Sequence, residues 1–199
     1  MAFAARRGWL AGLALGLLLG LVLGGLWPNT PLHATATDRA ENFCVATGFV
    51  DDTVEAVFVL NFATGHLFGA VPSNQTPDFQ ARFQHNVLAD LATSITAVNV
   101  RIRQENVERK KRGLPARPEV QLPQNPKFMM VTGAGDLRRG AARMQPGRCL
   151  VYVAEVNTGV ILAYALTWSP GDRASNRPFL GKFILWGADQ FAIAETSAE

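Results

Sequence analysis

The side chains that could carry chemistry are few and far apart. His33, His66 and His85 are the three histidines, and no two stand at the spacing that brings metal ligands onto one turn or one helix face. The chain has no Gly-x-Ser-x-Gly, no phosphate loop and no dinucleotide fingerprint. Asp51-Asp52 is the one adjacent acidic pair; it stands between two apolar runs, where aspartate commonly serves a turn. No catalytic residue, cofactor site or metal site is therefore expected, and the chain is read as a non-enzyme. Cys44 and Cys149 both fall in strand-like runs. Outside the cytoplasm two fates are open to them, a disulfide or a pair of buried thiols.

The N-terminal segment sets the compartment in this reading. From Gly8 to His33 there is no Asp, Glu, Lys or Arg, and Trp9 to Trp27 holds nine leucines. Twenty helical residues span about 30 Å, the thickness of a hydrocarbon core. Arg6 and Arg7 precede the run, so the positive-inside rule places the N-terminus in the cytoplasm and the rest outside. Residues 1–27 are thus expected to be a cytoplasmic stub and single-pass anchor in the cell membrane, and 28–40 a Pro-containing spacer. A removed signal peptide, cut after Ala34 or Ala36, is the alternative, and Arg6-Arg7 also loosely matches a twin-arginine export signal. Gly8, Gly12, Gly16, Gly20 and Gly24 recur every fourth residue, a row that lets a second helix approach closely and predicts a homo-oligomer. Arg6 and Arg7 also account for two of the three net positive charges, so the remainder is nearly neutral and nucleic acid is not an expected partner.

Residues 41–194 are expected to form the exported β-rich domain, and they contain a duplication. Phe43-Cys44-Val45-Ala46-Thr47-Gly48 matches Phe128-Met129-Met130-Val131-Thr132-Gly133. Val57 to Gly65 matches Val151 to Gly159, and both stretches end on Thr-Gly. Each copy, 43–71 and 128–168, reads as a strand followed by a hairpin, with glycine supplying the positive φ of the turn. The arms are apolar on both faces, as in Val57-Phe58-Val59-Leu60, so both faces should be covered.

Between the copies the pattern predicts a helix. Thr76 would cap it, Pro77 would take its first position, and Phe79, Phe83, Val87, Leu91 and Ile95 would form its apolar stripe. The β-branched run from Thr93 to Val100 predicts a break or a strand near 94–102. Residues 101–126 form a basic, Pro-rich insertion or loop. Arg101, Arg103, Arg109, Lys110, Lys111, Arg112 and Arg117 are either a contact for anionic surfaces or a solvated helix end. No aromatic residue is interleaved there, which leaves base stacking unsupported. A further strand is expected at Lys182 to Trp186.

Two resemblances rest on these motifs. The run Val57 to Gly69 looks like a hairpin from a quinoprotein-type β-propeller blade, but two copies cannot close a propeller. The segment His33 to Thr37, the run Asn125 to Gly133 and the hairpin Val151 to Gly159 together resemble a family of small planctomycete proteins with an N-terminal anchor. That resemblance covers most of residues 33–168 and implies architecture but no activity.

The expected fold is α+β: a transmembrane helix, then a mostly antiparallel sheet of two three-stranded repeats under a covering helix. The expected function is that of a non-catalytic envelope protein, anchored in the membrane and acting by self-association or on a protein partner. An extracytoplasmic small-ligand or sensor module, with its pocket between the two copies, comes second. A hydrolase-like enzyme using Asp51, Asp52 or His66 comes last.

Overall fold

A computed structural model describes residues 13–20, 37–137 and 143–191. The chain divides into two compact units, Met1–Ala34 and Thr35–Glu199. In the first, residues 13–20 are helical (α1). Among the described residues, no helix is long and apolar enough to cross a membrane. The expected transmembrane helix is thereby corrected, as the described residues hold no spanning helix. The rest of the expected anchor lies outside the described residues.

The second unit is not a layered α+β sheet but a nearly closed nine-stranded one. Its strands are β1 (Thr37–Arg39), β2 (Phe43–Asp51), β3 (Val54–Asn61), β4 (His66–Pro72), β5 (Phe79–Asn86), β6 (Phe128–Ala134), β7 (Gln145–Glu155), β8 (Val160–Trp168) and β9 (Phe179–Gln190). Two helices, α2 (Val87–Lys111) and α3 (Pro170–Ala174), complete it. The spatial order is β1-β2-β3-β4-β5-β9-β8-β7-β6, and β2 comes back beside β6 and β7. At that seam the Thr132 hydroxyl donates to the Thr47 carbonyl, and a Cβ on Gly48 would lie 2.5 Å from Cys149 Sγ. The enclosed space is filled by Phe58, Leu60, Phe83, Phe128, Met130, Leu162, Tyr164, Trp168 and Phe183.

Each repeat is one strand longer than its sequence match. Asn61 and Glu155 head equivalent turns: Gly65 N–H donates to the Asn61 carbonyl and Gly159 N–H to the Glu155 carbonyl, both at 2.9 Å. Gly65 and Gly159 adopt φ of 67° and 69°, the left-handed conformation that favours glycine. The Gly65 carbonyl then accepts from Val87 N–H, just past β5, and the Gly159 carbonyl accepts from Phe191 N–H, just past β9. The unit is therefore two four-stranded meanders, β2–β5 and β6–β9, joined by the parallel pair β5 and β9, which is the one parallel pair among the described strands.

This arrangement forces the copies to present opposite faces. The two meanders run in mirrored order with β5 and β9 parallel, so they superpose by a half-turn about an axis along the strands. Such a turn exchanges the faces of a sheet. Burial follows it position by position. Cys44 and Ala46 point inward, whereas the aligned Met129 and Val131 point outward. Phe58 and Leu60 are inside, but in the second copy Val151 and Val153 are inside, aligned with the outward Val57 and Val59. Leu67 and Val71 face in, against Val160, Leu162 and Tyr164. A shift of one residue exchanges the faces of a strand, and arms apolar on both sides can serve in either orientation.

The expected helix over 76–92 is also corrected. Phe79–Asn86 is a strand, paired antiparallel with β4 and parallel with β9. The stripe at spacing four misleads: Phe83 and Val87 are buried, but the irregularity opposite Val71 and Pro72 leaves Phe79 exposed. The helix begins at Val87, capped by Asn86, whose side chain accepts from Leu88 N–H and Ala89 N–H. It runs unbroken through the β-branched stretch. Val87, Leu91, Ile95, Val98 and Ile102 are buried along one stripe, and the helix packs on β4, β8 and β9. Packing of this stripe outweighs the small propensity cost of the β-branched residues.

The parallel junction is held by a polar knot. The buried Gln80 amide donates to the carbonyls of Asp172, Arg173 and Arg177, and Arg173 returns hydrogen bonds to Gln80 Oε1 and the Pro72 carbonyl. Asp172 is paired with Arg143 at 2.7 Å, and its backbone N–H is capped by Ser169.

Candidate functional site

The outward face of the sheet around the β5–β9 junction sets exposed apolar side chains among Arg82, Gln84 and Lys182. Strand register places it in two rows. One runs Val45, Val59, Phe68, Gln84, Lys182, and the next Thr47, Val57, Ala70, Arg82, Leu180. Along β9 the outward residues are Leu180, Lys182, Ile184 and Trp186, with Leu180 83% and Trp186 52% exposed, while Phe183 turns inward. Phe68 and Phe79 are exposed nearby. Exposed apolar side chains grouped on one face mark an interaction site more often than isolated ones do.

A groove of about 480 Å³ lies in this face, lined by Phe68, Gly69, Ala70, Arg82, Phe83, Gln84, Leu180 and Gly181. Gly69 and Gly181 line it with backbone, and a side chain at either would point inward, at Phe58 and Phe183 or at Phe83. A Cβ on Gly181 would lie 2.1 Å from Phe83 Cε1. A second hollow of about 260 Å³ adjoins it, lined by Asp78, Phe79, Gln80, Arg82, Pro178, Phe179 and Leu180. Arg82 and Leu180 belong to both and form the ridge between them.

A third hollow, about 280 Å³, lies between α2, the extended segment 117–123 and the second Thr-Gly turn. Its polar groups are already engaged: Arg117 with Glu105, Arg103 with Glu119, and the Gln190 amide with the Thr158 carbonyl. It offers a ligand less than the outer groove does.

The residues singled out from sequence are dispersed. Asp51 Oδ2 accepts from Trp168 Nε1 at 2.9 Å, and Arg148 pairs with both Asp51 and Asp52, so these carboxylates close one end of the sheet. His66 lies at the other end, stacked on Phe68. Asp51 pairs with Val54 at the start of β3, and His66 follows the turn at its end. The length of β3, at about 3.3 Å per residue, separates the two by more than about 20 Å, beyond any hydrogen bond.

Cys44 and Cys149 are free, buried thiols, not a disulfide. Cys149 Sγ lies against Gly48, four residues along β2 from Cys44. Burial raises both thiol pKa values, that of Cys149 to about 12. Of the glycine row, Gly16 and Gly20 lie in α1 with open space around a Cβ at each, and Gly8, Gly12 and Gly24 fall outside the described residues.

The basic stretch is largely spent inside the fold. Arg101 pairs with Asp189, Arg103 with Glu119, Arg117 with Glu105 and Lys111 with Glu108, and Arg109 donates to the Pro115 carbonyl. Asn99 and Asn106, seven apart on α2, each grip both backbone groups of one residue in the returning segment, Val120 and Arg117 respectively. The segment 114–126 is thereby tied along the helix. The side chains of Lys110 and Arg112 have no partner among the described residues.

Sequence reasoning missed one cluster. Asp90 Oδ2 accepts from the Tyr164 hydroxyl at 2.9 Å and meets His85 Nε2 at 2.6 Å, and the His85 and Tyr164 rings lie 5.3 Å apart. Burial, then the Asp90 charge, raises the Tyr164 pKa. These groups satisfy one another where β5 turns into α2 and tie that corner to β8. Among the described residues no group of three His, Cys, Asp or Glu could hold a metal ion. Comparison of the chain with family models, with curated proteins and with solved structures finds no match to it, and nothing in them bears on the resemblance carried by residues 33–168.

Proposed function

We propose that the nine-stranded unit is a non-catalytic binding domain that docks a protein partner on the outward face of β4, β5 and β9. The observation that supports this best is the outward row of β9, where Leu180, Ile184 and Trp186 are exposed and Leu180 shares its hollows with Phe68 and Phe79. Large aromatic and aliphatic side chains of this kind supply most of the energy at protein interfaces. Held on strands, they lose little freedom on binding. Asp51 and Asp52, and the His85, Asp90 and Tyr164 cluster, are engaged with neighbouring groups and hold the fold.

The test is a photo-crosslinking residue placed at Leu180 or Trp186 of the full chain in its own cells, with Glu108 as the control position. A discrete adduct is expected from 180 and 186, absent from 108, and abolished by Phe68→Asp in the same chain. Equal labelling from all three positions, or none from 180 and 186, would refute it. A second reading, a small-ligand module, is favoured by the position of the 480 Å³ groove, which draws on β4 and β5 from one repeat and β9 from the other. Its volume falls in the usual range of ligand pockets, roughly 300–1,000 Å³.

A further inference from the structure

We infer that the partner presents to this face an extended acidic segment, with two apolar side chains two residues apart and carboxylates beside them. The inference rests on the docking role proposed above and adds the chemistry of the occupant. It follows from the shape of the groove and from its charge.

The shape is double. The two hollows are separated by the ridge of Arg82 and Leu180, so a single compact ligand fills one of them and leaves the other open. An extended chain places alternate side chains on one face about 6.5 Å apart. That spacing matches the step from Ala70 to Pro72, opposite Phe79, so one apolar side chain rests against Ala70 and the next against Phe79. Neither β5 nor β9 has a free edge here, because β5 pairs with β4 and β9, and β9 with β5 and β8. The segment is thus held through side chains and not by adding a strand to the sheet.

The charge is one-sided. Arg82 and Lys182 stand on the outward face at the groove, and Asp78 is the carboxylate at its margin. The Lys182 ammonium has no partner among the described residues. Arg82 is paired with Asp78 at 3.3 Å, with their side chains 62% and 70% exposed. An exposed pair four residues apart contributes little, so Arg82 can exchange Asp78 for a partner's carboxylate at small cost. Two cations against one carboxylate beside apolar side chains favour acidic segments over basic ones.

The experiment uses the full chain and two fluorescein-labelled peptides, followed by fluorescence anisotropy. One peptide carries a phenylalanine and a leucine two positions apart among glutamates, and in the other lysines replace the glutamates. The glutamate peptide is expected to bind about tenfold more tightly than the lysine peptide, with the preference shrinking as salt rises. The double reversal Arg82→Glu with Lys182→Glu should invert the preference, and Leu180→Asp should abolish binding of both peptides. Equal binding of the two peptides, lost with Leu180→Asp, would overturn the acidic assignment while leaving the docking face in place. A preference that survives the double reversal, or displacement of the glutamate peptide by decanoate alone at equal affinity, would overturn the inference in favour of another site or a small amphiphile. A glutamate peptide that fails to bind overturns it as well, and the crosslinking result then stands or falls by itself.

Discussion

Gly181→Ala tests the parallel junction on which both the closure and the groove depend. An ideal Cβ at 181 would lie 2.1 Å from Phe83 Cε1, 2.5 Å from Cδ1 and 3.1 Å from Cζ. Carbon atoms rest about 3.5–4.0 Å apart, so the ring must move by about 1.5 Å. It has little room to do so. Phe83 is 2% exposed and packs against Phe179 and Phe183, with ring centroids 6.3 and 5.8 Å away. Overpacking of this kind costs about 1–3 kcal/mol. Replacing glycine by alanine also restricts the unfolded chain and returns about 0.4–1 kcal/mol where φ is compatible. Overpacking wins, and the net loss should be about 1–2 kcal/mol, or roughly 2–8 °C in melting temperature for a unit of this size. Gly187→Ala is the control, since nothing lies within 4 Å of a Cβ there, and it should be neutral or slightly stabilising. Phe83→Leu should relieve the clash, so in a double-mutant cycle by urea denaturation the Gly181→Ala penalty shrinks in the Phe83→Leu background. If Gly181→Ala costs no more than Gly187→Ala, or shows no coupling to position 83, the β5–β9 register is wrong and the groove goes with it.

Three further outcomes are expected. Gln80→Ala removes the donor shared by three carbonyls at the parallel junction and should destabilise by about 1–3 kcal/mol in urea denaturation, with most of the protection lost from amides of β9 in hydrogen exchange. Cys44 and Cys149 should resist a thiol reagent such as dithionitrobenzoate in the native protein at neutral pH and react promptly in denaturant, since burial keeps both thiols protonated; fast native labelling would contradict the packing at Gly48. The hydrogen bond from Arg143, then that from Ser169, holds the Asp172 carboxyl below its ordinary value, and Arg101 does the same for Asp189. A depressed carboxylate stabilises the fold above its unfolded pKa of about 3.9 and loses that contribution as pH falls through the folded value, so stability should drop below about pH 4 and Asp172→Asn should flatten the drop.

Much of the local structure was legible in the residues. The Thr-Gly turns, the two repeats and the apolar arms follow from turn chemistry and β-branched composition, which act over a few neighbours. Gly65 and Gly159 take the positive φ that the sequence demanded of them. The candidate site was not legible. Leu180 is far along the chain from Arg82 and Phe68 and meets them only because β5 and β9 pair in parallel. The partners of the α2 arginines were not legible either, because Asp189 and Glu119 are brought to them by the return of the chain.

Three features lay beyond any local rule. The stripe Phe79, Phe83, Val87 suits both a helix and a strand, and β5 is a strand because β4 and β9 supply its backbone partners on both sides. The extent of α2 was decided by the core it covers, which outweighs the weak propensities of Thr93 to Val100. Which face of each repeat turns inward was undetermined because both faces are apolar. A pattern with period two names a face only when the other is polar, so the choice passed to the mirrored order of the strands. The residues alone determined that two like hairpin units exist and where they turn. The closure of the sheet reversed one against the other, burying Phe58 in the first copy while exposing part of its counterpart Tyr152 in the second, because a half-turn about the strand direction exchanges inside and outside.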